Sequence, residues 1–217
     1  MAKVEAAKLA DSFQGALASA IANMDDMALF ALRSELSAIR AVSAGGKDNG
    51  LSASVDRALA AVSRFHTFAS EVKGFVVSRD FSKKASLFDV GSIGVLAVEN
   101  VLTAERKSLF RLLMSGLSEG LAFVASRQYI SGSTAVLDAL YRTNSAALYD
   151  DLWSLATEIR GPLDEKTARE VQQGLDGFFK QIADPSVPVD RRVAAIYQMY
   201  AILVLVRCAD LLKRLAK

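Results

Sequence analysis

Few residues in this chain have the type and spacing that chemistry demands. The acidic doublets Asp25-Asp26 and Asp150-Asp151 are the first candidates. Two such pairs facing each other could hold Mg²⁺ and a diphosphate, because hard cations take oxygen ligands. Glu158 follows Asp151 by seven residues, on the same helical face. Adjacent acids, however, point about 100° apart on a helix. The i, i+3/i+4 acidic repeat that would aim several carboxylates at one ion is missing. Each doublet reads better as a first-turn or solvated charge, and neither a metal nor another cofactor is expected.

His66 is the only histidine and Cys208 the only cysteine. A triad needs a base oriented by a carboxylate and touching a nucleophile, and no such partners can be picked out around His66. It lies on an apolar stripe and reads as a structural residue. One His and one Cys also fall short of the ligand set of an ordinary zinc site. A lone Cys208 among apolar neighbours cannot form an intrachain disulfide and reads as an inert buried thiol. With no charged-then-apolar leader in view, the expectation is a cytoplasmic protein that is not an enzyme, with no catalytic residue to name.

Two further groups could bind rather than react. Glu99 sits inside an apolar run, two helical turns before Arg106. If buried, it needs a cationic or hydrogen-bonding partner, so the two form a candidate buried polar pair. Basic residues gather at Lys73, Arg79, Lys83 and Lys84, and again at Arg191 and Arg192. They could grip phosphates of a nucleic acid or another polyanion. The net charge of only +2 argues against that, as does the absence of any nucleic-acid motif.

The elements that carry these residues are helices. The chain has 217 residues, 52% of them hydrophobic, and three prolines, all at punctuation points. Proline breaks helix interiors, so its scarcity suits long helices, and no segment alternates as a half-buried strand does. From Ala2 to Val42 apolar residues recur every three or four positions, from Leu9 and Phe13 to Ile39 and Val42. The pattern falters at Asn23, Asp25 and Asp26, where one helix could become two. SAGGKDNG (43–50) reads as a connector between antiparallel neighbours. Helices are then expected over 52–78, from about 87 to 129 with a capping-box-like start at Ser86, and over 134–160. Gly161-Pro162 ends the last of these, and Asp164 caps a shorter amphipathic one.

The final helix, Arg191 to Leu215, organises the rest. Its stretch VAAIYQMYAILVLV is apolar all round, as a helix buried on every side must be. It is shorter than the roughly 20 apolar residues of a membrane span and ends at Arg207, so a span is not favoured. The charges split around it: residues 131–187 hold five basic and nine acidic residues, and 188–217 hold six and two. Packing the acidic segment beside the basic helix would neutralise both.

The expected fold is therefore all-α, five to seven helices packed around the hydrophobic C-terminal one. It forms one domain, 1–217, in which an N-terminal hairpin (1–79) could pack on a core bundle (86–217). High apolarity with small-residue faces such as Gly15, Ala18 and Ala22 points to a helical interaction protein whose partner is a second copy or another helical protein. The alternatives are an apolar-ligand binder with a pocket at Phe65, Phe68, Phe75, Leu96 and Leu113, and polyanion binding at the basic clusters.

Overall fold

A computed structural model of the chain describes residues 2–23, 26–43, 49–72, 106–125 and 133–215. Among them the protein is all-α, with no strand. Its helices are α1 (Ala2–Asn23), α2 (Asp26–Ser43), α3 (Asn49–Val72), α4 (Arg106–Ala125), α5 (Thr134–Arg160), α6 (Glu165–Ala183) and α7 (Val189–Leu215).

Their ends follow from local chemistry. The long N-terminal stretch divides where the pattern falters, with α1 stopping at Asn23 and α2 starting at Asp26. α3 begins at Asn49, three residues before the sequence pattern suggests. First-turn N–H groups have no intrahelical acceptor in any case, so Asn49 and Gly50 are tolerated there. α5 ends on Gly161, whose φ of 76° suits a residue without Cβ and whose N–H donates to the Thr157 carbonyl at 2.9 Å. Asp164 then caps α6: its carboxylate accepts from the Thr167 N–H at 2.9 Å and from the Thr167 hydroxyl at 2.7 Å. The backbone bond first, then the hydroxyl, holds the Asp164 carboxyl below its usual range. α7 starts at Val189, two residues earlier than its apolar run implies, because the Pro188 carbonyl accepts from both Arg191 and Arg192 N–H.

Burial sorts the helices into layers. Nineteen of the 27 residues of α7 are buried, against five of the 19 in α6. α7 is thus the centre, and α3, α4 and α5 pack directly on it, with a lighter contact from α1. α2 lies outside, on α1 and α3, and α6 lies across α4 and α5. One continuous apolar core runs from Phe13 to Leu212. By length and composition α7 could also cross a membrane; 89% of its most apolar window is enclosed by the rest of the chain.

Direction can be read from paired side chains. Asn144 meets Tyr200 and Glu158 meets Arg207, so α5 and α7 run parallel. Arg64 meets Asp151 and Arg57 meets Glu158, so α3 runs antiparallel to both. The acidic stretch does touch the basic helix, through the Glu158–Arg207 pair.

Candidate functional site

Among the described residues, two places stand apart from ordinary core packing. The first is a polar seam where α3, α5 and α7 meet. Near its end Glu158 receives two arginines on a single oxygen: Arg57 Nε at 2.8 Å and Arg207 Nη1 at 2.9 Å from Oε2. The Ser154 hydroxyl donates to the other oxygen at 2.9 Å. Arg207 is the buried member, with its side chain 8% exposed against 31% for Glu158. A guanidinium that deep requires a counter-charge, and this one directly follows the VAAIYQMYAILVLV stretch, where α7 turns it onto α5. The Arg57 Nε–H does not aim along its short contact. It is buried without a hydrogen-bond acceptor, so that pairing is one of charge alone. Beside the three lies a recess bordered also by Ser54, Leu155, Ile159 and Asp210, with free space of about 10 Å³, roughly one water. Asp210 is engaged by Arg214 on its own helix, at 2.9 Å.

Further along the seam the acidic doublet of α5 separates. Asp151 is tied to Arg64 of α3 while Asp150 is exposed, so the two do not converge on one point. The Tyr200 hydroxyl donates to Asn144 Oδ1 at 3.3 Å, and burial pushes its phenol up to about 12. On the outer side of α5 the Tyr149 hydroxyl donates to Asp176 at 2.7 Å, a bond that, with burial, raises that phenol too.

The second place is the outer face of α2. Met27, Phe30 and Val42 are 75%, 55% and 56% exposed. At about 100° per residue, they share one face with Ala31, Ser34, Ser37, Ala38 and Ala41, opposite the buried Leu29, Leu32, Leu36 and Ile39. The face carries no charged residue. Its two serines are satisfied internally, Ser34 donating to the Phe30 carbonyl at 3.0 Å and Ser37 to that of Arg33 at 2.9 Å.

The residues singled out from sequence are distributed as follows. Phe65 and Phe68 are fully buried on α3, their rings 5.0 and 5.4 Å from those of Tyr197 and Tyr200 respectively. Leu113 is buried on α4, a different neighbour of α7. Phe75 and Leu96 lie outside the described residues, as do Lys73, Arg79, Lys83, Lys84, Ser86, Glu99 and Asp25. Arg106 is exposed at the start of α4. Arg191 and Arg192 are half-buried on the first turn of α7. Arg192 lies over the Tyr141 ring at 4.8 Å, with its Nε–H buried and unaccepted. His66 is half-buried with its ring 6.5 Å from that of Phe30. Cys208 is completely buried, which pushes its thiol up to about 12. Among the described residues no three His, Cys, Asp or Glu side chains gather as a metal site would require.

Sequence reasoning missed both places. Val42 was expected on the core face, but three residues beyond Ile39 the helix has turned it about 60° away from that face, into solvent. The signal for the outer face was Met27 and Phe30 falling off the core register of α2. For the seam it was Arg207, a charge closing the apolar stretch of α7. The chain matches no known protein family, and neither a curated protein nor a solved structure resembles it.

Proposed function

We propose that this protein is a non-enzymatic helical assembly module that associates with a second copy of itself through the outer face of α2. The observation that carries the reading is the exposure of Met27, Phe30 and Val42 together on one uncharged face. An apolar stripe of that kind on an outer helix is characteristic of a contact surface. The partner is a second copy because the stripe is complementary to itself when reversed. Its large residues, Met27 and Phe30, stand at one end, and Ala38, Ala41 and Val42 at the other. Antiparallel pairing about Ser34 sets large against small at both ends, as a two-fold interface requires. The back-bonded serines at the centre leave no unsatisfied hydroxyl donor to bury.

Burying the exposed parts of Met27, Phe30 and Val42 gains about 1–2 kcal/mol each, counted on both copies. Association costs roughly 4–15 kcal/mol, so the dimer is a weak one, micromolar or looser. Sedimentation velocity across a concentration series tests this. The protein should pass from monomer to dimer, and Phe30→Glu should hold it monomeric while its melting temperature stays near that of the wild-type monomer. A wild-type chain that remains monomeric at the highest concentration, or a Phe30→Glu variant that dimerises equally well, refutes the proposal.

A further inference from the structure

We propose that Met27 is a redox-sensitive switch, whose oxidation to the sulfoxide by a peroxide breaks the contact between two copies of α2. The inference rests on the dimer proposed above. Among the described methionines Met27 is the accessible one. It is 75% exposed, whereas Met199 is 0% exposed within α7 and Met114 is half-buried over Gly174. Met1 and Met24 complete the five and lie outside the described residues. The step balances with the peroxide alone. The thioether sulfur attacks one peroxide oxygen, an S–O bond forms and the O–O bond breaks. Sulfur loses two electrons, and the other oxygen leaves as water, carrying the proton of the one transferred. An apolar side chain thereby becomes a polar one.

Position decides what that polarity does. In the monomer the sulfoxide stands in water, on the outer side of α2, and the core is untouched. In the dimer it faces the small-residue end of the second copy's α2. Ala38, Ala41 and Val42 offer no side-chain donor there, and the Ser43 hydroxyl already donates to the Arg40 carbonyl at 3.1 Å. The sulfoxide oxygen would be buried without a hydrogen bond, which is unfavourable. Forfeiting the burial of Met27 on both copies weakens the dimer roughly 30-fold or more. Because the dimer is loose, free monomer presents Met27 to the oxidant, and association in turn shields it.

The test runs sedimentation velocity on the whole chain, across a concentration series, before and after dilute hydrogen peroxide. Tandem mass spectrometry locates the added oxygen, and the melting temperature of dilute protein is recorded alongside. Met27 should carry the oxygen, the melting temperature should stay put, and the Kd of the dimer should rise on the order of 30-fold. Methionine sulfoxide reductases with a dithiol should restore it. Met27→Leu keeps an apolar side chain without sulfur, so it should dimerise like wild type and keep its dimer through peroxide. Met24→Leu should respond as wild type does. Met27 left unoxidised, oxidised wild type that associates as before, or a Met27→Leu variant that dissociates in peroxide overturns the switch while the dimer stands. Untreated wild type that never dimerises overturns both.

Discussion

Gly116→Ala probes how closely α4 lies on the central helix. Gly116 is buried, and a methyl group there would sit 2.8 Å from Ile202 Cδ1, 3.1 Å from Cγ2 and 3.4 Å from Cγ1. Carbon atoms in contact prefer about 3.5–4.0 Å. Turning the end of the Ile202 side chain moves Cδ1 aside, but Cγ2 is attached to a branched carbon whose χ1 is nearly fixed within a helix. The two backbones must therefore separate by some tenths of an ångström. Overpacking of this sort costs about 1–3 kcal/mol, while replacing a mid-helix glycine by alanine gains about 1 kcal/mol. The net expectation is a loss of about 1 kcal/mol, or roughly 2–4 °C in Tm. Gly177→Ala in α6 is the matched control, since a methyl group there meets nothing within 4 Å. It should stabilise the protein by about 1 kcal/mol. The same atoms are added in both variants, so unfolded-state effects largely cancel. The readout is a difference of about 2 kcal/mol between two urea denaturation curves of equal m-value. In the Gly116→Ala background, Ile202→Val should cost less than it does alone, because it removes the nearest carbon. If Gly116→Ala stabilises as much as Gly177→Ala, the close α4–α7 approach is wrong.

Two other perturbations follow from the polar seam. Glu158→Gln leaves Arg207 and Arg57 without their shared counter-charge. Breaking a buried pair costs about 3–5 kcal/mol, and the partial exposure of Glu158 places this one near 3, whereas Arg40→Gln at the exposed Asp56 pair should cost under about 1 kcal/mol. Similar losses in chemical denaturation would show that the seam is not desolvated. Tyr200 provides the pH dependence: its phenol is raised by burial to about 12 from an ordinary 10. The neutral form is thus favoured by folding. The stability it contributes is complete below about pH 10 and is lost as the pH rises toward 12. Tyr200→Phe should move alkaline unfolding to higher pH, and the latest-rising part of the wild-type phenolate absorbance should be missing from that variant. Titration of all five tyrosines together, with the fold intact, would contradict its burial.

Much of the architecture was legible because helices declare themselves locally. The break at Asn23, the glycine stop at Gly161, the Asp164 cap and the all-round apolarity of α7 each depend on residues within a turn or two of one another. The candidate sites were not legible, because they depend on residues far apart in the chain. Asp151 looked like half of a cation site until Arg64, 87 positions away, was placed against it. Glu158 looked like a further ligand on the same face, yet α3 and α7 bring one arginine each to a single oxygen of it.

The amino-acid pattern alone therefore determined which segments coil and which of them must be shielded from water all round, since an apolar circumference has no stable place in water. That other helices do the shielding is a property of the packed bundle. Which charge meets which, and which apolar residues stay uncovered on α2, depended on how the helices are laid against one another. Periodicity assigns each side chain a direction about its own axis. Only the packed bundle decides whether that direction ends in a neighbour, in water, or on a second molecule.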